Sequence, residues 1–118
     1  ILAIEARGFI FGSAIAFHIG KPLIVARKPN KLPGKLFMKK YDLEYGSNTL
    51  TIQKKSIEEF QRFSIVDDVL ATGGTARCVS DIILSAGKEV ASYNMVVEIK
   101  SLNGRRNLNG PVNSQVLI

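Results

Sequence analysis

The sequence contains no long apolar run and only one cysteine among its 118 residues. No run approaches the roughly 18 apolar residues that a helix needs to cross a bilayer, so we expect no transmembrane helix and no membrane partner. Cys78 has no second cysteine with which to form an internal disulfide, which is typical of proteins in a reducing cytoplasm. The sequence therefore predicts a cytoplasmic protein.

The sequence does contain enough apolar side chains for one hydrophobic core. Apolar residues make up 46% of the chain, and its length is typical of a single domain, here residues 1–118. The chain opens on the apolar run Ile1-Leu2-Ala3-Ile4, which is typical of a buried strand. A buried strand as the first element leads us to expect that upstream sequence is missing from this chain.

The excess positive charge lies in one short segment. The net charge is +6, and the segment 27–40 holds six basic residues and no acidic one: Arg27, Lys28, Lys31, Lys35, Lys39 and Lys40. Such a cluster attracts polyanions, either nucleic acid or a multiply phosphorylated small molecule. Nucleic acid binding would need a basic face with aromatic or base-reading side chains, whereas this cluster is interleaved with proline and glycine, so we expect no nucleic acid partner.

Strand-like and helix-like patterns alternate along the chain. Apolar runs predict strands at Leu2–Glu5, Leu23–Ala26, Phe63–Val66, Val90–Glu98 and Ser114–Ile118. Helical patterns cover Phe9–Ile19 and Gly74–Ala86, and each is followed by a glycine. Because the strands are apolar on both faces, we predict an α/β fold with a mainly parallel central sheet flanked by helices.

The segment from Arg27 to Gln53 breaks this alternation. It begins as a long basic loop with prolines and continues into two short strands with a turn near Gly46-Ser47-Asn48. A long loop in a compact domain is usually functional or mobile. We therefore predict a flexible antiparallel hairpin at this point.

The segment Ile65–Thr75 carries the clearest chemistry. An apolar strand brings the chain to the carboxyl edge of the sheet, where open α/β folds bind ligands, and Asp67 and Asp68 follow it. Ala71-Thr72-Gly73-Gly74-Thr75 then combines two glycines and flanking hydroxyls with a helix N-terminus, whose free N–H groups attract anions. This arrangement predicts a cradle for one phosphate monoester. A tight turn capped by one of the aspartates is the competing interpretation.

Four sequence blocks resemble those of the type I phosphoribosyltransferases. Val66–Thr75 is similar to that family's motif for phosphoribosyl pyrophosphate. Glu5–Gly12, Arg27–Gly34 and Tyr41–Gly46 are similar to the matching blocks of its adenine-specific members, the adenine phosphoribosyltransferases. The four blocks stand in the same order as in that family and cover nearly the whole chain.

The resemblance implies an enzyme that transfers ribose 5-phosphate from phosphoribosyl pyrophosphate to N9 of adenine, giving AMP and pyrophosphate. It implies that Asp67 and Asp68 hold the ribose hydroxyls, and that the 5-phosphate is held by Ala71, Thr72, Gly73, Gly74 and Thr75. The cofactor it implies is Mg²⁺ carried by the substrate, reaching Asp67 or Asp68 only through water, with no direct protein ligand. The resemblance also implies a homodimer.

The same resemblance assigns roles around the leaving group and the base. Pyrophosphate would be met by Arg7, Arg27, Lys28 and Lys31, and the peptide bond before Arg7 is expected to be cis. Arg7 and Glu44 would be catalytic, with Glu44 interacting with N7 of the base. Tyr45 would help to close the loop, and Val69 would contact the adenine ring.

Several points stay open in the sequence. The resemblance implies an N-terminal segment that supplies much of the base pocket, and this chain lacks it, so another base is an alternative to adenine. A second alternative is a regulator without catalytic activity that senses a nucleotide with the same fold. We expect structural roles for His18 and Cys78, and a solvated turn at Arg105 and Arg106.

Overall fold

A computed structural model describes all residues from Ile1 to Ile118. Its main sheet has five strands, all parallel, in the order β2-β1-β5-β6-β7. The strands are β1 (Leu2–Ile4), β2 (Ile24–Ala26), β5 (Arg62–Leu70), β6 (Glu89–Glu98) and β7 (Val112–Leu117). The predicted α/β fold with a parallel sheet is confirmed.

Helices cover both faces of this sheet. Helix α1 (Gly8–Ile19) packs so closely on β1 that a Cβ added to Gly12 would lie 2.5 Å from the Cβ of Ala3. Helix α3 (Gly74–Ser85) lies on the other face, where its buried residues share the main hydrophobic core with Leu2 and Ile65. None of the helices combines the length and the apolar character that crossing a membrane requires.

The order of the strands brings the chemistry-bearing segments together. The chain leaves β1 through α1 toward β2 on one side, whereas it leaves β5 through α3 toward β6 on the other. The boundary between β1 and β5 is therefore a topological switch point, where the carboxyl ends of the strands leave a crevice for a ligand. Arg7 follows β1, Arg27 follows β2 and the predicted phosphate loop follows β5, so all three lie at this edge.

A separate two-stranded antiparallel hairpin packs against the main domain. It consists of β3 (Leu36–Leu43) and β4 (Gly46–Gln53), and a short helix, α2 (Lys54–Glu59), follows it. The expected turn at Gly46-Ser47-Asn48 is wrong by two residues, because Leu43 pairs with Gly46 and leaves Glu44 and Tyr45 as the turn. Both of these residues are exposed at the tip of the hairpin.

Strand β5 also extends beyond the predicted end at Val66. It continues through the two aspartates to Leu70, because Asp67 and Val69 pair with Met95 and Val97 of β6. The pairing with a neighbouring strand fixes the backbone of both aspartates before the loop begins. This pairing therefore holds the two carboxylates in rigid positions at the edge of the sheet.

Candidate active site

The predicted phosphate loop encloses a small cavity at the end of β5. The cavity measures about 60 Å³ and is lined by Asp67 and by residues 69–76. This is several times the ~10–15 Å³ that a cavity needs to hold one water molecule, which suits one compact anion. Gly73 precedes α3 with φ of +84°, a conformation that side chains rarely adopt, and no side chain caps the first N–H groups of the helix. Those N–H groups are therefore available to an anion.

Asp67 and Asp68 lie beside this cavity in different electrostatic states. Burial, together with the neighbouring Asp68 carboxylate, raises the pKa of Asp67 to about 7. Burial also acts to raise the pKa of Asp68, but the hydrogen bonds from Arg7 and Asp67 and the positive charge of Arg7 together outweigh it and leave that pKa below its usual value. The Arg7 Nε donates this hydrogen bond to Asp68 Oδ2, while the Arg7 side chain is 76% exposed. Arg7 thus links the end of β1 to the two aspartates.

The structure contains no cluster of three or more histidine, cysteine, aspartate or glutamate side chains that could hold a metal ion. Two adjacent carboxylates remain, of which one is paired with arginine and the other is partly protonated near neutral pH. This donor set does not make an all-protein cage for Mg²⁺. It does fit an ion that is bound mainly by substrate phosphates and water and that uses one carboxylate at most.

Glu5 contacts the first three basic residues of the basic segment. Its carboxylate accepts hydrogen bonds from Arg27 Nε at 2.9 Å and from the backbone N–H of Lys28 at 3.2 Å, and Lys31 Nζ lies 3.5 Å away. Burial acts to raise the pKa of Glu5, but the hydrogen bond from Arg27 and the nearby cations outweigh it and lower the pKa. The peptide bond between Glu5 and Ala6 is cis, one bond earlier than expected. Glu5 is thus the counter-ion of Arg27 and Lys31, two of the expected pyrophosphate residues.

Sequence reasoning did not assign a role to Glu5. The available signal was its position directly after an apolar strand, as with Asp67, since parallel strands end at the same edge of a sheet. Its side chain is only 5% exposed, so its carboxylate contacts Arg27 and Lys31 from a buried position. The structure adds it to the candidate site.

The hairpin lies against the phosphate loop on the side of α3. The Tyr41 hydroxyl lies 3.4 Å from Thr75 Oγ1, and Lys39 forms an ion pair of 3.3 Å with Asp81 of α3. Arg27 anchors the base of the hairpin, because its backbone exchanges hydrogen bonds of 2.9 and 2.7 Å with Thr51. Val69 lines the cavity, whereas the exposed turn at Glu44 and Tyr45 points no side chain into it.

Two other expectations concern residues outside the cavity. Cys78 is a core residue, as expected, with 1% exposure and a pKa that burial raises to about 11. Arg105 and Arg106 both lie in an exposed turn, as expected. Arg105 in addition forms an ion pair of 2.6 Å with the buried Glu98, which the sequence did not predict. The arginines differ because only Arg105 lies within reach of the end of β6.

Comparisons with known proteins agree with this geometry, although no protein-family model matches the chain. An adenine phosphoribosyltransferase of Prochlorococcus marinus (strain MIT 9211) is 57% identical over 117 residues, which is 99% of this chain and 68% of that protein. The crystal structure of adenine phosphoribosyltransferase from Thermoanaerobacter pseudethanolicus superposes with a TM-score of 0.94 at 40% identity, over 99% of this chain and 69% of that one.

A third relative carries ligands. The Saccharomyces cerevisiae adenine phosphoribosyltransferase, complexed with adenine and an imino-altritol bisphosphate, has a TM-score of 0.88 at 36% identity, over 97% of this chain and 65% of that one. Sequence and structural similarity thus extend over nearly all of this chain and about two thirds of each relative. The chain belongs to the adenine phosphoribosyltransferase family.

Proposed function

We propose that this protein transfers ribose 5-phosphate from phosphoribosyl pyrophosphate to N9 of adenine, forming AMP and pyrophosphate. The observation that carries the proposal is the meeting of three groups at one edge of the sheet. A phosphate-sized cavity with an uncapped helix N-terminus lies beside two aspartates, and a basic segment begins on the neighbouring strands. This order matches a ligand with one phosphate, a ribose and a pyrophosphate. Membership in the family supports the same reaction.

The phosphate loop would hold the substrate by its 5-phosphate. The N–H groups at the start of α3 would bind the phosphate oxygens, with the hydroxyls of Thr72 and Thr75 beside them. Asp67 and Asp68 would bind the ribose hydroxyls, with Arg7 orienting Asp68. When the loop holds the 5-phosphate and the aspartates hold the ribose hydroxyls, C1 of the sugar would face the basic segment. Positioning of this kind lowers the entropic part of the barrier.

Neutralisation of the leaving group is the main chemical task of the site. As the bond between C1 and the pyrophosphate oxygen breaks, negative charge grows on the pyrophosphate, and cations near it stabilise the transition state. Arg7, Arg27, Lys28 and Lys31 would supply these cations. Arg27 and Lys31 are held by Glu5 in the structure, so we expect them to exchange part of this contact for pyrophosphate when it binds.

We further propose that Mg²⁺ accompanies the substrate. The ion would be held mainly by the pyrophosphate oxygens and water, with Asp67 or Asp68 as an outer contact, and would neutralise leaving-group charge. The donor set described above supports this arrangement because it offers at most one carboxylate that is not paired with arginine.

Base recognition would involve Val69 and the hairpin tip. Val69 lines the cavity next to the ribose site and would contact the adenine ring. Glu44 would interact with N7 of the base, and Tyr45 would close over the substrates and exclude water. Both would have to move inward from their exposed positions, in agreement with the predicted flexibility of the hairpin.

We also propose a homodimer in the cytoplasm. Helix α1 supports the dimer because it presents apolar side chains to solvent, with Phe17 exposed by 91% and Ile10 by 67%. The unpaired thiol of Cys78 supports a reducing compartment. Light scattering after gel filtration tests the dimer, and a monomer at micromolar concentration would contradict it.

One experiment tests the reaction. The protein is incubated with Mg²⁺, phosphoribosyl pyrophosphate and adenine, hypoxanthine, guanine, xanthine or a pyrimidine base, and the nucleotide and pyrophosphate formed are measured. We expect AMP from adenine, little product from the other bases, and no product when EDTA removes the metal. Arg27→Gln should reduce the rate, whereas Arg62→Gln, at the opposite end of the sheet, should not. Substrate binding without product from any base would instead support the nucleotide sensor.

A further inference from the structure

A 3₁₀ turn at Gly104–Asn107 packs directly against the outer side of the phosphate loop. Asn107 Nδ2 donates a hydrogen bond of 2.7 Å to the carbonyl oxygen of Thr72. A Cβ added to Gly104 would lie 2.3 Å from the carbonyl oxygen of Ala71, and one added to Gly73 would lie 2.6 Å from that of Gly104. The two backbones therefore touch, with no space for a side chain between them.

Arg105 ties this turn to the end of the sheet. Its Nε and Nη2 each donate a hydrogen bond of 2.6 Å to the two oxygens of Glu98, the last residue of β6. Its Nη1 donates to the carbonyl oxygen of Val112 at 2.7 Å, and its Nη2 donates to Ser114 Oγ at 3.0 Å. Ser114 in turn donates to Glu98 at 2.7 Å. A bidentate pair with a buried carboxylate is a strong and directional contact.

We propose that Arg105 and Asn107 are positioning residues for the phosphate loop. The turn does not line the cavity, so the carbonyl groups of Ala71 and Thr72 that face it are turned away from the bound anion. A carbonyl oxygen that rotated into the cavity would repel phosphate and would replace an N–H group. The turn prevents this rotation, and the pair of Arg105 with Glu98 holds the turn in place.

The identity of the bound group as a ribose 5-phosphate rests on the proposed function. Asn107→Ala removes the donor to Thr72 from an exposed position and should leave folding intact. We expect it to weaken ribose 5-phosphate binding about fivefold and to raise KM for phosphoribosyl pyrophosphate equally, with KM for adenine unchanged. Gly104→Ala should weaken binding tenfold or more, because its Cβ meets backbone atoms.

Arg106 provides a matched control for Arg105. Arg105→Lys keeps the charge but cannot form the bidentate pair, so we expect several-fold weaker ribose 5-phosphate binding, whereas Arg106→Lys should bind like the wild type. Calorimetry with ribose 5-phosphate measures binding without any need for turnover, and thermal unfolding confirms that each variant is folded.

The outcomes separate this proposal from the reaction. If the wild type forms no AMP but Asn107→Ala and Arg105→Lys still lose ribose 5-phosphate affinity, the positioning role stands and the proposed reaction fails. If the wild type forms AMP and folded Asn107→Ala and Arg105→Lys bind ribose 5-phosphate as the wild type does, the positioning role is overturned. Equal increases in KM for adenine and phosphoribosyl pyrophosphate would also overturn it, since a general loosening of the fold would be responsible.

Discussion

Glu5 and Arg27, which follow neighbouring parallel strands, are joined by a hydrogen bond of 2.9 Å between Glu5 Oε1 and Arg27 Nε. The carboxylate is nearly buried, whereas the guanidinium is one-third exposed and can reach a ligand. The pair therefore keeps a cation at the proposed pyrophosphate site in the absence of substrate. It also means that pyrophosphate must compete with a carboxylate for the same charge.

Removing the negative charge of Glu5 should strengthen the binding of pyrophosphate. Because Glu5→Gln keeps the size of the side chain and removes its charge, we expect it to lower the Kd for pyrophosphate about fivefold, equivalent to about 1 kcal/mol. Titration calorimetry with pyrophosphate measures the change, and Glu58→Gln on the exposed surface of α2 is the control. Weaker binding by Glu5→Gln would mean that Glu5 acts mainly by orienting Arg27.

The shifted pKa of Asp67 should make stability depend on pH. Its pKa is about 7 in the folded protein and ~3.9 in an unfolded chain, so the folded state binds this proton more tightly. The resulting stabilisation is complete below about pH 4 and is lost as the pH rises through about 7. Asp67→Asn lacks this titration and should therefore gain stability relative to the wild type as the pH rises.

Urea unfolding of both proteins between pH 5 and pH 8, without ligand, measures this effect. We expect the difference in free energy of unfolding to shift in favour of Asp67→Asn by about 1–2 kcal/mol over that range, after allowance for solvent screening. Asp68 and Glu5 do not contribute in this range, because their pKa values are lowered and their titrations lie at more acidic pH. A difference that stays constant with pH would show that Asp67 is ionised throughout.

The sheet and the phosphate loop could be predicted because their signals are local. Apolar runs identify strands wherever both faces are buried, and Thr72-Gly73-Gly74-Thr75 after a strand predicts a turn into a helix. The extension of β5 through Asp67 was not predictable, because polar residues enter a strand only when a neighbour pairs with them. The hairpin turn at Glu44 and Tyr45 was missed because it lacks the usual Asn-Gly signal.

The charged contacts around the site depend on tertiary structure. Glu5 meets Arg27 only because β1 and β2 are adjacent and in register, with Ile4 opposite Ala26. Arg105 differs from Arg106 only through its distance to Glu98, which is set by the path of the chain after β6. No spacing in the sequence distinguishes these pairs from ordinary surface charges, since exposed ion pairs are common and weak.

Substitutions at Glu44 and Asp68 should affect turnover and phosphoribosyl pyrophosphate binding differently. Glu44 lies at the exposed hairpin tip and is proposed to act on the base, so Glu44→Gln should reduce kcat about tenfold or more with little change in phosphoribosyl pyrophosphate affinity. Asp68→Asn loses its ion pair with Arg7 and a ribose contact, so we expect about tenfold weaker phosphoribosyl pyrophosphate binding. Steady-state kinetics combined with calorimetry resolves the two effects. Equal losses of affinity in both variants would contradict these roles.

The packing of α1 against the aspartates should be sensitive to a single methyl group. A Cβ added to Gly8, the first residue of α1, would lie 2.9 Å from Asp67 Oδ1 and 3.0 Å from the carbonyl oxygen of Val66. The side chain of Asp67 could move, but the Val66 carbonyl belongs to the sheet, so the helix must shift away from β5. Gly8→Ala should therefore destabilise the fold by about 1–3 kcal/mol, although alanine favours helix formation.

The same shift would move Arg7 away from Asp68, so Gly8→Ala should also weaken phosphoribosyl pyrophosphate binding about tenfold, through loss of their charged hydrogen bond. Ser13→Ala, on the exposed side of α1, changes neither contact and serves as the control. Urea unfolding measures the stability, and calorimetry measures the binding. If Gly8→Ala bound phosphoribosyl pyrophosphate normally, the contact between Arg7 and Asp68 would not depend on the close approach of α1 to β5.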